Sequence, residues 1–232
     1  MQSLSGFFPI ADESLFYKFT DLLLEDAKQI DLLGTWLLQE TELNSVLKCK
    51  RGRLLFLDPY WANVPWTKTL RGKNILVIHP FAHSILSQYQ KRQYLFDNPD
   101  ILPEFNKLTV IQAVQSVGGM SHFKTWFDAL DYMKREIDKC TYDIALIGCG
   151  AYGMPLAAHC KRMGKKAVHL GGSLQLLFGI RGARWEDPDY GKNSRQICPK
   201  VNYVGLINDY WVRPLKDETP KGAANIENGC YW

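Results

Sequence analysis

Residues 143–185, DIALIGCGAYGMPLAAHCKRMGKKAVHLGGSLQLLFGIRGARW, contain the pattern that decides the fold of this chain. An apolar run, Ile144–Ile147, has the length of a buried parallel strand and is followed by glycines at G-x-G-x-x-G spacing. Leu156–Cys160 continues a helix that Gly164 ends, and Ala167–Leu170 has the pattern of the next strand. Strand, glycine turn, helix and strand within about thirty residues predict a βαβ unit.

The glycines of this turn predict a phosphate-binding site. Gly148, Gly150 and Gly153 lie between a predicted strand and a predicted helix. Such a turn directs free backbone N–H groups and the positive end of the helix towards one point. Tyr152 lies in the same turn, and we count it with the three glycines as nucleotide-binding. The alternative is that the glycines only allow the helix to pack closely on the sheet.

A dinucleotide site would also need an acidic residue at the end of the following strand, where it binds a ribose hydroxyl. That strand ends His169-Leu170-Gly171-Gly172, without Asp or Glu. We therefore expect no NAD, no adenosyl-methionine bound in the same way, and no nucleotide-dependent oxidoreductase. A nucleotide or sugar-phosphate ligand that is bound by backbone donors remains.

Length and composition limit the number of domains and the class of partner only broadly. At 232 residues the chain suits one α/β domain, or one domain with an appendage. Its hydrophobic content of 46% and charged content of 22% are those of an ordinary globular protein. The net charge of +4 comes without clustered Lys and Arg, so we expect no nucleic-acid partner. A mildly basic face would suit an anionic substrate or lipid head groups.

The sequence also bears on the compartment. It has no basic start followed by a long apolar run, and no stretch reaches the roughly 18 apolar residues of a membrane span. The six cysteines show no C-x-x-C spacing, which predicts reduced thiols, several of them buried. We therefore expect a cytoplasmic protein without a transmembrane segment, and peripheral association with a membrane remains an open alternative.

The rest of the chain alternates between helical and strand patterns. The patterns predict an amphipathic helix at 12–30, strands at 32–37, 53–57, 74–79 and 108–114, and helices at 40–47, from about 82 to 94, at 122–139 and at 173–178. This alternation predicts a single, mainly parallel, Rossmann-like sheet flanked by helices, in one α/β domain over residues 1–200. An irregular, aromatic-rich tail, residues 201–232, is expected to pack on the same domain.

Two side chains at predicted strand ends are candidates for the site. Asp58 follows the predicted strand 53–57, and α/β proteins place their ligands beyond the carboxyl ends of strands. Its alternative role is to cap a turn before Pro59. His79 ends the strand 74–79, and its alternative is a histidine that bonds to the neighbouring backbone.

Several stretches resemble a protein family from bacterial polysaccharide-biosynthesis loci: Pro65–Lys68, Asn74–Phe81, Asp143–Trp185, Tyr210–Pro214 and Gly229–Trp232. That family is described as GT-D-fold-like, after glycosyltransferases that use a Rossmann-like sheet and a divalent metal. The likeness runs from about Gly6 to the C-terminus and is strongest over residues 143–185. It implies transfer of a sugar from a nucleotide-sugar donor to a glycan or lipid-linked glycan acceptor in surface polysaccharide biosynthesis.

The N-terminus departs from the family. Its members carry an Arg-Phe-Gly-like turn and a nearby Glu before the position where this chain starts. GT-D enzymes place a metal-binding Asp-x-Glu in the corresponding region. This chain begins near Gly6-Phe7-Phe8-Pro9. Three alternatives stay open: the sequence is truncated, the metal site is built from other residues, or no catalysis occurs.

A glycosyltransferase must also neutralise the leaving diphosphate. Mn²⁺ or Mg²⁺ would take oxygen ligands, and the candidate ligands are Asp58 and the Asp-x-Asp formed by Asp187 and Asp189. The alternative for the acidic segment is a solvated loop. Arg181, Arg184 and Arg213 are candidates for neutralisation without a cation.

The acceptor hydroxyl needs a general base, and we name His169 and Glu186 as candidates. Further residues at the ends of neighbouring elements are expected to contact sugar or phosphate: His79, Gly171, Gly172, Ser173, Gln175 and Arg184. The rival hypothesis is a non-catalytic nucleotide-sugar or glycan-binding accessory protein of the same pathway. A glycine turn without an effective acidic site would favour that rival.

Overall fold

A computed structural model of the protein describes residues 6–9, 11–116, 121–190 and 201–232. Short 3-10 turns connect many of its helices and strands. The helices and strands are α1 Glu13–Ala27, β1 Leu32–Thr35, β2 Lys50–Arg53, β3 Asn74–His79, α2 Ala82–Tyr89, β4 Lys107–Gln112, α3 Trp126–Asp138, β5 Ile144–Ile147, α4 Gly153–Arg162, β6 Lys166–His169, α5 Leu174–Leu177 and α6 Ala183–Glu186.

The main sheet has four parallel strands in the order β4-β3-β5-β6. Within this sheet, the chain enters at β3, continues to β4 at one edge, and then crosses back over β3 to β5 and β6. The order reverses between β3 and β5, and α/β proteins bind ligands beyond the carboxyl ends of the strands at such a point. Gly148 follows β5 directly, so the glycine turn lies beside this switch point. The predicted α/β fold, with a parallel sheet flanked by helices in a single domain, is confirmed.

Side chains of the central strands alternate between two cores. Leu76 and Ile78 pack in the core that includes residues of α1, α3 and α4. Ile75 and Val77 pack in the other core, with residues of α2, α5 and the C-terminal segment. Strand β3 is buried on both faces from Ile75 to His79, which explains its continuous apolar run.

Helix α1 is attached to the domain at two places. At its middle, Phe19 lies 4.9 Å from the ring of Phe7, which in turn lies 5.8 Å from Trp126, measured between ring centroids. At its end, Arg162 Nη2 lies 2.7 Å from Oδ1 of the buried Asp26. Burial raises the pKa of Asp26, and the hydrogen bond from Arg162 opposes that shift. The pair joins α1 to the last residue of α4, the helix that starts at the glycine turn.

Two predictions for the N-terminal half were wrong. The strands do not form a single sheet, because β1 and β2 form a separate two-stranded parallel sheet. The predicted strand 53–57 does not exist either: β2 ends at Arg53, and Leu54–Leu57 is a 3-10 turn. Phe56 is 70% exposed, so this apolar run is not a buried strand. Asp58 therefore follows a turn and not the carboxyl end of a strand.

The segment 201–232 forms only 3-10 turns and one isolated bridge, between Val212 and Ile180. It packs on the domain through buried side chains and hydrogen bonds. Trp211 is buried, and its Nε1 donates to the carbonyl of Leu95 at 3.1 Å. Gln88 of α2 donates to the carbonyl of Tyr210 at 2.9 Å. These contacts place the C-terminal segment along α2.

Candidate functional site

The glycine turn offers free backbone donors. The N–H of Gly148 bonds to the carbonyl of Ile78 at 2.9 Å, which continues the sheet by one residue. The next three N–H groups, of Cys149, Gly150 and Ala151, have no hydrogen-bond partner among the described residues. Gly150 is exposed with φ +58, and a Cβ there would meet nothing within 4 Å. Successive free N–H groups before a helix are an arrangement that binds phosphate.

The other two glycines are packing positions. A Cβ on Gly148 would lie 2.6 Å from the carbonyl oxygen of Gly171 and 2.8 Å from His79 Cδ2. A Cβ on Gly153 would lie 2.1 Å from His169 Nε2. Gly153 thus allows α4 to pack against the end of β6, as the alternative interpretation of the glycines predicted. Of the three glycines in the motif, Gly150 alone faces open space.

Tyr152 lies in the turn but is buried. Its ring stacks on Trp126 of α3 at 4.8 Å between centroids and 5° between planes. Its hydroxyl lies 3.0 Å from Ser116 Oγ, which donates to the carbonyl of Gly6 at 2.6 Å. The side chain predicted to bind nucleotide therefore fixes the turn against α3 and the N-terminal segment.

His169, predicted as a base, is shielded by its contact with Gly153. Its Nε2 is buried and has no hydrogen-bond partner among the described residues. Burial lowers the pKa of His169 to about 4, because the charged imidazolium would lose its hydration. The ring is therefore neutral at neutral pH, and its Nε2 is covered by the start of α4.

His79 is bound by the backbone next to it. Its Nδ1 accepts the N–H of Phe81 at 3.0 Å, so the proton of the neutral ring is on Nε2. Burial lowers the pKa of His79 to about 3. The alternative interpretation, a histidine that bonds to neighbouring backbone, is confirmed. Its ring also packs against Gly148, so it supports the turn from the β3 side.

The residues that follow β6 form a packed turn. A Cβ on Gly172 would lie 2.4 Å from Cε1 of the Tyr231 ring. Ser173 Oγ donates to the carbonyl of Leu170 at 2.9 Å. Gln175 is buried, and its Nε2 donates to the carbonyl of Tyr231 at 3.1 Å. Of these residues predicted to bind sugar or phosphate, Gly172 and Gln175 contact Tyr231 of the C-terminal segment, and Ser173 bonds within its own turn.

Arg184 belongs to the same C-terminal contact. Its Nη1 donates to Tyr231 Oη at 3.1 Å, and its guanidinium carbon lies 4.6 Å from the centroid of that ring. Its Nη2 donates to Cys230 Sγ at 3.1 Å and pairs with Glu227. The guanidinium predicted to bind sugar or phosphate is thus occupied by protein partners.

Glu186, the other predicted base, lies between two guanidinium groups. One oxygen pairs with Arg213, and the other lies 3.4 Å from Arg181 Nε. The same contacts occupy two of the three arginines considered for neutralising a diphosphate. This carboxylate joins α6 to Arg213 of the C-terminal segment.

Asp58 lies beside Ser173 of the turn after β6, although a 3-10 turn and not a strand precedes it. The side chain is buried, and its Oδ2 accepts the hydroxyl of Tyr203 at 2.9 Å. Burial raises the pKa of Asp58, while hydrogen bonds from Tyr203 and Ser173 oppose the shift. Tyr60, two residues further, donates its hydroxyl to the carbonyl of Ser173 at 2.6 Å.

The predicted metal ligands do not form a set. Asp187 and Asp189 are exposed, and Asp187 Oδ1 accepts the N–H of Asp189 at 2.8 Å, as in a local turn. Within the described ranges, no group of three or more His, Cys, Asp or Glu side chains could hold a metal ion. We assign no step to a cation.

Glu218 is a buried carboxylate that the sequence analysis missed. Its Oε1 accepts the N–H of His83 at 2.7 Å, and both of its oxygens lie 3.3 Å from the N–H of Ser84. It therefore caps α2, the helix that follows β3. No local pattern marks this residue, because its partners lie 134 and 135 positions away in the chain.

Comparison of the chain with models of protein families, with curated proteins and with solved structures found no match. Among the helices in the described ranges, none has the length and apolar character that crossing a membrane requires. Five cysteines are free thiols: Cys49, Cys140, Cys149, Cys160 and Cys230. Cys198 lies outside the described residues.

Proposed function

We propose that the protein binds the diphosphate of a nucleotide sugar at the Gly148–Gly153 turn and transfers the sugar. The observation that carries this proposal is the row of three free N–H groups at Cys149, Gly150 and Ala151, with open space at Gly150. A phosphate at this position would accept charge-assisted hydrogen bonds and would lie at the positive end of the ten-residue helix α4.

The resemblance to GT-D-fold-like glycosyltransferases supplies the rest of the proposal. The donor is a nucleotide sugar, the acceptor is a glycan or a lipid-linked glycan, and the setting is surface polysaccharide biosynthesis in the cytoplasm. Backbone donors at the turn would stabilise the charge that develops on the leaving diphosphate. These donors act without titrating, so this part of catalysis needs no particular pH.

A second candidate function is binding without catalysis, in the same pathway. The observation in its favour is that neither predicted base is available. Glu186 is paired with two guanidinium groups, and His169 Nε2 is covered by Gly153. A general base must lie within hydrogen-bonding reach of the acceptor hydroxyl, which either side chain would achieve only by leaving its present contacts.

Calorimetry and thermal shift with UDP, GDP and their sugars, each with and without Mn²⁺, test the binding step. A ligand that binds only the folded state raises the melting temperature. We expect nucleotide sugars to bind at least about tenfold, or ~1.4 kcal/mol, more tightly than NAD or adenosyl-methionine. Micromolar binding of NAD without any binding of nucleotide sugars would overturn the proposal. Release of free nucleotide from a bound donor in the presence of acceptor glycans then separates a transferase from a binding protein.

A further set of variants tests whether a metal ion takes part in nucleotide binding. If Asp187 and Asp189 hold a cation, their joint change to Asn abolishes the Mn²⁺-dependent part of nucleotide binding, and the melting temperature is unchanged. Persistence of Mn²⁺-dependent binding in that double variant would show that the acidic segment is only a solvated loop. Asp58→Asn is then the next variant to test.

A further inference from the structure

Strand β4 forms one edge of the main sheet. The N–H of Lys107 lies 3.5 Å from the carbonyl of Lys73, and the N–H of Ala113 donates to the carbonyl of His79 at 3.1 Å. Odd-numbered residues of this strand therefore bond towards β3. Because backbone direction alternates along a strand, the N–H and C=O groups of the even-numbered residues point away from it. Those residues are Leu108, Val110 and Gln112, and no described residue pairs with their outward groups.

An open groove of about 480 Å³ lies along residues 110–115, at the C-terminal end of this edge strand. Tyr132 and Glu136 of α3 line it together with Asp217 and Glu218 of the C-terminal segment. An edge strand at the base of a groove is a surface to which a further strand can add by main-chain hydrogen bonds. The lining contains carboxylates but neither Lys nor Arg.

We propose that the groove binds strand β4 of a second copy of this chain, antiparallel and centred on Val110. In that register Leu108 faces Gln112 of the other copy, and Val110 faces its own counterpart. The three outward residues of each copy then form three pairs, each exchanging two main-chain hydrogen bonds. Opposed residues are both even or both odd, so their side chains lie on the same face of the sheet. The two copies therefore form one continuous sheet about a two-fold axis.

Charge selects this occupant over an unrelated strand. In the proposed register Lys107, an exposed residue at the start of β4, faces Ala113 of the other copy, inside that copy's acidic groove. Odd-numbered side chains of β4 lie on the α3 side, because Ile111 packs in the core that contains α3. Lys107 therefore approaches Glu136, whose present partner Lys139 has a side chain 67% exposed. Self-pairing thus places Lys107 of each copy against Glu136 of the other.

Sedimentation of the full chain from about 1 to about 100 µM tests the proposal, since association is concentration-dependent. We expect a dimer that dissociates on dilution. Val110→Pro removes an outward N–H and no hydrogen bond to β3, and should raise the dissociation constant at least about tenfold. Val110→Thr is the matched control, because it keeps both the N–H and the β-branched shape, and it should remain dimeric.

Charge reversal gives an independent result if Val110→Pro fails to fold. Lys107→Glu should weaken the dimer, and adding Glu136→Lys should restore it, whereas either reversal alone leaves like charges opposed. A parent chain that stays monomeric over the whole range overturns the proposal. So does a dimer that survives both Val110→Pro and Lys107→Glu, because that dimer would use another face.

Discussion

His169 Nε2 lies so close to Gly153 that a Cβ added to the glycine would stand 2.1 Å from it. Gly153→Ala must therefore displace the imidazole or the start of α4. We expect it to lower the free energy of unfolding by about 1–3 kcal/mol, the usual cost of overpacking. Urea unfolding measures the change. The double variant with His169→Ala, which vacates the space, should lose less than the two single variants together. A Gly153→Ala protein as stable as its parent would contradict the close contact.

Gly150 differs from Gly153, because its Cβ would meet only open space. Gly150→Val should strain the backbone at φ +58 and place a branched side chain where we expect the phosphate. Gly164→Val is a matched control, with φ +74 and open space at the far end of α4. Each variant should lose roughly 1–2 kcal/mol of stability through strain. Gly150→Val alone should also weaken nucleotide binding by about 2 kcal/mol, roughly thirtyfold. If calorimetry gives Gly150→Val the same nucleotide affinity as Gly164→Val and the parent, the ligand does not bind at this turn.

Tyr152 is buried, so its hydroxyl should affect stability and not ligand affinity. Tyr152→Phe keeps the stacking on Trp126 but removes the hydrogen bond with Ser116 Oγ. We expect a loss of about 0.5–1.5 kcal/mol in the free energy of unfolding, as for one buried hydrogen bond. Nucleotide affinity should equal that of the parent. A clear drop in nucleotide affinity at unchanged stability would show that Tyr152 contacts the ligand.

The elements around the glycine turn could be predicted because their signals are local. Strands Asn74–His79 and Ile144–Ile147 have the bounds that their apolar runs predicted. The run at Leu54–Leu57 has similar composition but forms a 3-10 turn. Burial on both faces makes an apolar run a central strand, and composition alone does not reveal whether two layers will cover it. Predicted helix 40–47 likewise became the 3-10 turn Leu38–Leu43.

The candidate site was predicted less completely, because its packing partners come from distant parts of the chain. Nothing near Gly172 in sequence indicates that the ring of Tyr231 covers it. Trp211 lies in the irregular C-terminal segment, yet it is only 3% exposed. Loops of this chain fold back onto the core, so a tryptophan in a loop is not evidence of an open surface.

The buried carboxyl of Asp58 makes stability depend on pH. Its pKa is raised above its ordinary value of 3.8, mainly by burial, so ionisation costs more in the folded state than in the unfolded state. The stabilising contribution is fully present below pH 3.8 and is lost as pH rises through the folded pKa. Asp58→Asn removes this dependence and keeps an oxygen that can accept the hydroxyl of Tyr203.

The expected result is a difference between variant and parent that changes with pH. Relative to the parent, Asp58→Asn should gain stability as pH rises above 3.8 and reach a plateau above the folded pKa. Urea unfolding from about pH 4 to about pH 8 gives the curve. Asp187→Asn, at an exposed carboxylate, is the control and should run parallel to the parent. A constant offset for Asp58→Asn would mean that the carboxyl is not selectively desolvated by folding.

The carboxylate of Glu218 anchors the C-terminal segment at the positive end of α2. It accepts the N–H groups of His83 and Ser84, and its own carbonyl accepts Gln115 Nε2 at 3.1 Å and Trp232 Nε1 at 3.3 Å. A charged acceptor at a helix N-terminus is stabilised both by the helix dipole and by the free donors of the first turn. Contacts from α2, from the residues after β4 and from Trp232 thus meet at this one residue.

Glu218→Gln should therefore weaken the attachment of the C-terminal segment, although it changes the size of the side chain very little. It keeps the shape and one acceptor, but it removes the charge and turns an amide NH₂ towards backbone N–H donors. We expect a loss of about 1.5–3 kcal/mol in the free energy of unfolding, the range for hydrogen bonds to a charged group. Hydrogen exchange should also speed up across residues 215–232, while amides of β3 and β5 change only with global stability. Asp217→Asn, at the exposed neighbouring carboxylate, should leave both measurements unchanged. If Glu218→Gln matches Asp217→Asn in stability and in exchange, the carboxylate does not anchor this segment, and other contacts along α2 must hold it.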